Sequence, residues 1–181
     1  SIRVRRLIQA GRLDEAEAML DALPDQPPQK WHYRAQLLKA RGKTNEAAAL
    51  LEERLFVEAS GLCTTLNMLL DMALEQEDFA WADALAATLE QAAETFGLWK
   101  GSATSVRLEI AVRRRDTEAA MDALEELAEA VKGPWMPGKF PLYRHARFKE
   151  SGNAWLQRMP EALRTSIWSD KHYAFLREDP R

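Results

Sequence analysis

The sequence has few residues of the types that build disulfide, redox or metal sites. Among its 181 residues there are one cysteine, Cys63, and three histidines. A single cysteine excludes an intrachain disulfide, and the histidines show no metal-ligand spacing relative to it. Cys63 lies in an apolar helical stretch, so we predict a small core residue there rather than a nucleophile. We therefore expect no metal and no cofactor.

Long apolar runs and a surplus of basic residues are missing as well. No segment approaches the roughly 18 to 20 apolar residues needed to span a membrane, and the N-terminus does not read as a signal peptide. The formal net charge is −3 and the pI is about 5.7. This balance argues against general nucleic-acid binding. We expect a cytoplasmic location and no membrane contact.

Motifs that carry known chemistry are absent from the sequence. It has no glycine-rich phosphate loop, no zinc-protease helix and no nucleophile elbow. His32, His145 and His172 are interpreted as surface or edge residues, and no catalytic pair of carboxylates can be picked out by spacing. The sequence therefore favours a non-catalytic role, with an enzyme on a helical scaffold as a residual alternative.

A repeated pattern is present instead. Four segments place a turn between two stretches of helical period, and each ends on a small residue that would let two helices approach closely. The segments are Gly11–Ala16, Gly42–Ala47, Glu77–Ala82 and Arg115–Ala120. The final alanines are 31, 35 and 38 residues apart, which is typical of helix hairpins of about 34 residues. Gly11 and Gly42 suit a tight turn because glycine tolerates positive φ.

The pattern resembles the tetratricopeptide repeat over residues 1 to 132. The second unit matches the family's large, small and glycine positions best, with Trp31, Ala35, Leu38, Gly42, Ala47 and Leu51. The third and fourth units depart from the family where Glu77 and Arg115 stand at the glycine position. The resemblance implies an all-α fold, a right-handed α-α superhelix of helix hairpins.

Helical periods and breaks give a coarse element map. Helices are predicted near 2–10, 12–23, 29–41, 43–58, 61–76, 78–96, 102–114 and 116–132. The breaks between units are placed at Pro24–Pro28, at Ser60–Gly61 and at Phe96–Gly101. Beyond a loop rich in proline and glycine, short helices are predicted near 142–149, 154–165 and 170–177.

Residues 133–181 form an aromatic-rich C-terminal segment. We predict that it packs as a helical cap on the apolar end of the repeats in 1–132, and a partner site made by its aromatic residues is the alternative. The ending Leu176–Arg181 resembles the closing phrase of helical-repeat sensor domains in bacterial transcriptional regulators. With no initiating Met, the chain is expected to be a fragment or processed product. A ligand- or peptide-sensing domain of such a regulator is therefore the alternative function.

The resemblance implies a binding site for a protein or peptide on the concave face, which the first helix of each pair lines. The positions expected there are His32, Tyr33, Gln36, Lys39, Asn67, Met68, Asp71, Ser105, Glu109 and Arg113. Their mixture of aromatic, amide and charged groups suits a peptide backbone. The main hypothesis is therefore a scaffold module that binds a protein or peptide, and an uncapped end leaves room for a homodimer.

Charge is distributed unevenly along the chain. Residues 55–99 hold eight acidic residues and no Lys or Arg, whereas basic residues cluster on both sides of that stretch. One interpretation is solvation with local ion pairing. The other is a partner surface whose potential orients the ligand.

Overall fold

The computed structural model describes residues 2–23, 30–149 and 156–178, and every regular element in these ranges is helical. The α-helices are α1 (Ile2–Gln9), α2 (Leu13–Asp21), α3 (Lys30–Ala40), α4 (Thr44–Glu75), α5 (Phe79–Thr95), α6 (Gly101–Arg114), α7 (Thr117–Ala130) and α8 (Met159–Ser169). Short 3-10 helices span Pro137–Lys139, Leu156–Arg158 and Lys171–Glu178. The all-α prediction is confirmed for this part of the chain. The break predicted at Pro24–Pro28 lies outside the described residues.

One backbone turn recurs at all four positions that the repeat pattern selected. A single residue with positive φ ends the first helix of each hairpin, and the next helix begins two residues later. The four residues are Gly11, Gly42, Glu77 and Arg115, with φ of 74°, 77°, 55° and 59°. Only residues in the left-handed region reverse the chain this tightly after a helix. The turn predicted by the repeat pattern is therefore present in the backbone at all four positions, including the two that lack glycine.

The hydrogen bonds of these turns are the same in each copy. In the second hairpin, the Gly42 N–H donates to the Lys39 carbonyl at 3.0 Å, and the Lys43 N–H donates to the Leu38 carbonyl at 2.9 Å. The other three turns make the equivalent pair of bonds, at 2.9 to 3.3 Å. This is the Schellman arrangement, which satisfies the last carbonyls of a helix. Asp78 and Asp116 also cap the helices that follow, accepting bonds from the N–H groups of Trp81 and Ala119.

The small residue at the end of each repeated segment is buried. Ala16, Ala82 and Ala120 have no solvent exposure and Ala47 has 6%. An alanine one turn into the second helix lets the neighbouring helix lie close, because no larger side chain separates the two backbones. The repeated segment is therefore a local packing unit as well as a turn.

The helix break predicted at Ser60–Gly61 is wrong. The structure has one helix of 32 residues, α4, where the sequence predicted separate helices at 43–58 and 61–76. A glycine inside a helix costs only about 1 kcal/mol, and Gly61 has no positive φ. The hydroxyls of Thr64 and Thr65 donate to the carbonyls of Ser60 and Gly61 at 3.1 and 3.2 Å. Both carbonyls are thus satisfied within a continuous helix.

Residue contacts divide the chain into two compact units. Unit 1 comprises residues 1–58 and 138–148, and unit 2 comprises residues 59–137 and 149–181. The boundary falls inside α4. This division differs from the repeat and cap segments read from the sequence, since residues 138–148 belong with the first helices.

Unit 1 has a small apolar core made by its first three helices. Val4, Ala16, Leu20 and Leu37 are buried there. The rim of the core consists of half-buried side chains, including Leu7, Ile8 and Tyr33. Ion pairs at the surface join α2 to Arg41, the residue that follows α3: Arg41 contacts Glu17 at 2.8 Å and Asp14 at 2.6 Å.

Unit 2 contains two apolar clusters around α6. On one side, Val106 and Ile110 pack with buried residues of α4 and α5, among them Leu70, Leu74 and Leu85. On the other side α6 and α7 pack against the C-terminal elements. The residues of that second cluster include Leu108, Val112, Leu127, Leu156, Tyr173 and Leu176. Helix α6 is therefore the central element of this unit.

The C-terminal helices agree only in part with the prediction. Residues 142–149 contain no helix, which corrects the element predicted there. The N–H groups of His145 and Ala146 donate to the Glu52 carboxylate instead of to helical carbonyls. Helix α8 (Met159–Ser169) and the 3-10 helix Lys171–Glu178 take the place of the two later predicted helices, and Trp155 lies outside the described residues.

Candidate functional site

The predicted concave-face residues of α3 lie in unit 1 and are mostly open to solvent. His32, Gln36 and Lys39 are exposed, and Tyr33 is half-buried against the unit 1 core. The His32 ring stacks on Trp31, with centroids 3.6 Å apart. These side chains are available to a partner, but nothing in their geometry selects one.

The predicted residues of α4 and α6 lie in unit 2. Met68 is 58% exposed and Asp71 is exposed, whereas Asn67 is half-buried. On α6 the side chains of Ser105, Glu109 and Arg113 are half-buried. The Ser105 hydroxyl is already engaged with the Gly101 carbonyl at 2.8 Å.

The chain's own C-terminal segment lies near the polar face of α6. Burial raises the pKa of Glu109, and the negative charges of Asp71 and Asp170 raise it further, against the opposing effects of Arg113 and His172. Burial and the charge of Glu109 in turn raise the pKa of Tyr173. The structure therefore brings together three of the predicted residues, Asp71, Glu109 and Arg113, and adds residues from the tail.

An open groove that was not predicted from the sequence lies between α5 and α7. It runs over the face of α6 opposite to the one that lies near the C-terminal segment. Its volume is about 460 Å³, within the range of pockets that take a ligand or a few side chains of a peptide. Its lining residues are Asp83, Ala86, Ala87, Glu90, Arg107, Ile110, Ala111, Arg114, Asp116, Ala119, Asp122, Ala123 and Glu126. Five alanines leave room for another chain to approach the helix backbones. We call it the α5–α7 groove.

Two ion pairs connect the helices that line this groove. Arg114 of α6 contacts the Asp83 carboxylate of α5 at 2.7 Å, and its guanidinium lies over the Phe79 ring, 5.0 Å from the centroid. Arg107 of α6 contacts the Glu126 carboxylate of α7 at 2.7 Å. Both arginines are thus held in defined positions, although exposed ion pairs add little to stability.

Acidic side chains outnumber basic ones around the groove. Its lining holds five carboxylates and two guanidinium groups. Glu90 and Asp122 have no ion-pair partner in the part of the chain that the structure describes. A smaller adjoining pocket of about 180 Å³ adds Glu94 and Lys100. The groove therefore presents unpaired negative charge beside small apolar residues.

A weak signal for the groove was present in the sequence. The uneven charge of residues 55–99 contributes Asp83 and Glu90. The remaining carboxylates come from α7 and its N-cap residue Asp116, which follow in the chain after the basic stretch of α6. No linear pattern joins the two acidic helices, because their proximity results from packing on opposite sides of α6.

The described residues offer little support for a metal site, a membrane-spanning helix or a reactive cysteine. They contain no group of three or more metal-ligating side chains, and none of their helices is both long and apolar enough to cross a membrane. Cys63 packs against the α4–α5–α6 cluster but is half-buried rather than fully buried, and burial raises the pKa of its thiol. A raised pKa disfavours the reactive thiolate.

Comparison of the chain with protein-family models, with curated proteins and with solved structures finds no match in any of the three.

Proposed function

We propose that this chain is a protein-binding module that holds a segment of its partner in the α5–α7 groove. The observation that carries the proposal is the groove itself. It is open, has a volume of about 460 Å³, and is lined by five alanines together with seven charged side chains. Such a surface offers both apolar and polar contacts, as protein interfaces commonly do.

The repeated turn supports this role at the level of architecture. Helix hairpins that share one turn geometry build extended surfaces from adjacent helices, as tetratricopeptide-like repeats do. We propose that the four hairpins are a degenerate version of that repeat, in which α4 serves two successive hairpins. This part of the proposal is an analogy between folds.

The charges of the groove favour a basic segment. A Lys or Arg of the partner would meet Glu90 or Asp122, neither of which has an ion pair in the described residues. Partly desolvated ion pairs of this kind contribute to specificity and to the association rate.

Selection of peptides from a random displayed library against the full chain tests the proposal. We expect enrichment of peptides with Lys or Arg next to small apolar residues. Ala87→Trp fills the groove and should weaken the binding of a selected peptide about tenfold or more. Ala84→Trp is the matched control, since Ala84 is exposed on the same helix outside the groove.

Two results would contradict the proposed site. The first is equal binding by the Ala87→Trp and Ala84→Trp variants. The second is loss of binding on substitution of Gln36, Asn67 or Arg113 with no effect of Ala87→Trp, because this would place the ligand on the face predicted from the sequence. Failure to enrich any peptide would count against a peptide-binding role altogether.

A further inference from the structure

Residues 138–148 of unit 1 form a loop that a single carboxylate holds in place. One oxygen of Glu52, on α4, accepts hydrogen bonds from the backbone N–H groups of His145 and Ala146 at 2.6 and 2.8 Å. The other oxygen lies 2.7 Å from Nδ1 of His145. The Glu52 side chain is only 15% exposed. Three contacts to one partly buried carboxylate fix the backbone at the middle of the loop.

Aromatic side chains fix the rest of the loop. Tyr143 is 1% exposed and packs edge-on against Phe56 of α4, with ring centroids 5.7 Å apart. Phe148 packs against both rings, at 4.9 Å from Phe56 and 5.3 Å from Tyr143. The ring centroids of Phe140 and Tyr143 are 6.2 Å apart. The loop therefore has its own small aromatic core on the surface of α4.

The anchored loop presents positive charge to solvent. From residue 131 to residue 149, both included, the sequence has five Lys or Arg residues and no Asp or Glu. Within the loop, Lys139, Arg144 and Arg147 are exposed, and none of them has an ion pair among the described residues. Elsewhere in the same unit, Arg12, Arg34 and Arg41 are paired with carboxylates, whereas Arg3 and Arg5 of α1 are exposed like the loop cations and have no ion pair among the described residues.

We propose that this loop is a second docking surface, for an acidic protein segment. Arg144 and Arg147 flank the two residues that Glu52 anchors, so their side chains extend from a fixed stretch of backbone. A guanidinium recognises a carboxylate through two parallel hydrogen bonds, which favours acidic side chains of a partner. Its residues belong to unit 1, whereas those of the α5–α7 groove belong to unit 2, and its charge is opposite to that of the groove.

The aromatic residues of the loop decide between a protein and a nucleic acid. Binding of single strands relies on exposed aromatic rings on which bases stack. Here Tyr143 is buried, and Phe140 and Phe148 are half-buried in contact with it. The loop offers cations without a stacking platform, which fits an acidic protein segment better than a nucleic acid.

Fluorescence anisotropy with a labelled peptide of alternating glutamate and alanine tests the proposal on the full chain. The matched peptide of glutamine and alanine, a single-stranded oligonucleotide and vesicles of anionic lipid are the comparison ligands. We expect the glutamate peptide to bind in preference to all three. Affinity should fall with added salt, since exposed charges are screened.

The double variant Arg144→Gln/Arg147→Gln should weaken binding of the glutamate peptide about tenfold. Arg3→Gln/Arg5→Gln is the matched control, because both arginines are exposed on α1 of the same unit and the change in net charge is identical. The control should change affinity less than about twofold. Equal losses in the two double variants would overturn the proposal.

Glu52→Gln separates positioning from bulk charge. The substitution makes the chain more positive, so attraction alone would tighten binding of an acidic peptide. A loop that must be held in place predicts weaker binding instead, because ordering the loop would then cost conformational entropy on association. Circular dichroism verifies that the helices remain. Tighter binding by this variant would overturn the role of the anchored loop.

Three further outcomes would overturn the choice of partner. They are stronger binding of the oligonucleotide, stronger binding of the vesicles, and self-association of the chain that Arg144→Gln/Arg147→Gln abolishes. The last would assign the loop to a second copy of this protein.

Discussion

Glu77 and Arg115 stand at the same place in two successive hairpin turns, and both adopt the left-handed backbone conformation, with φ of 55° and 59°. Gly11 and Gly42 take that place in the first two hairpins. A side chain in this conformation costs about 1 to 2 kcal/mol relative to the right-handed region. The last two turns therefore hold a conformation that their own residues disfavour, and the packing of the flanking helices maintains it.

Restoring glycine at these turns should stabilise the protein. Glu77→Gly and Arg115→Gly relieve the strain but make the unfolded chain more flexible, which offsets about 0.5 to 1 kcal/mol. We expect a net gain of about 0.5 to 1 kcal/mol for each variant. Conversely, Gly42→Ala should lose about 1 kcal/mol. Urea denaturation followed by circular dichroism measures all three.

Glu75→Gly is the control for the turn variants. Glu75 is the last residue of α4 and is exposed, so glycine there should only destabilise, by up to about 1 kcal/mol. Loss of stability in both Glu77→Gly and Arg115→Gly would show that the two turns do not adopt the left-handed conformation.

Two helical glycines should respond to alanine in opposite ways. Gly61 lies inside α4, and a Cβ added there would meet nothing within 4 Å. Gly61→Ala should therefore stabilise the protein by about 1 kcal/mol, the difference in helix propensity. At Gly101 a Cβ would overlap the buried Trp99 ring. Gly101→Ala should destabilise by about 1 to 3 kcal/mol, because the ring must move in a packed core.

Thermal unfolding of the two variants also tests the continuity of α4. A hairpin turn at residues 60–61, as the sequence pattern predicted, would need the freedom of glycine, and Gly61→Ala would then lower the Tm. A rise in Tm agrees with one uninterrupted helix.

The sequence located the hairpin turns because each turn depends on local features. A helix end, a residue in the left-handed region and a small residue one turn later recur within six positions, and the phase survives at Glu77 and Arg115. The continuity of α4 was missed because a serine and a glycine weaken a helix without ending it. Whether a helix continues through such residues depends on long-range packing, which the local sequence does not show.

The loop at residues 142–149 was predicted as a helix for a related reason. This stretch contains no proline or glycine, but the N–H groups of His145 and Ala146 donate to Glu52, which is over ninety residues earlier. The α5–α7 groove was equally out of reach, since Asp83 and Glu126 are brought to it by separate arginines of α6. Both features depend on pairs of residues that are distant in the chain.

The stability of unit 1 should fall in acid because of Glu52. Burial raises the pKa of this carboxyl, but the hydrogen bonds from His145 and Ala146 outweigh burial and hold its pKa below the ordinary value of 4.5. A group whose pKa is lower in the folded protein than in the unfolded chain stabilises the fold at pH values above its unfolded-state pKa. This stability is lost as the pH falls through its folded-state pKa. Glu52→Gln should cost about 1.5 to 3 kcal/mol at pH 7, the range for hydrogen bonds to a charged group.

Urea titrations between about pH 7 and pH 3 measure this dependence. The parent protein should lose more stability below about pH 4.5 than Glu52→Gln does, so the two curves should converge in acid. Glu53→Gln is the control, because Glu53 is the exposed neighbour on the same helix. Parallel curves for the parent and Glu52→Gln would contradict the assigned role.

Glu109 should show the opposite dependence. Burial and the charges of Asp71 and Asp170 raise the pKa of Glu109 in the folded protein. The contribution of this carboxyl to folding stability is therefore fully present below its pKa in the unfolded chain. It is lost as the pH rises through its pKa in the folded protein. Glu109→Gln removes the charge while keeping the shape of the side chain, and should raise the Tm at pH 7 by about 2 to 4 °C. The gain should disappear near pH 4, where the parent carboxyl is protonated. A lower Tm at pH 7 would instead show that the attraction of Arg113 and His172 for the ionised carboxylate outweighs the cost of burying it.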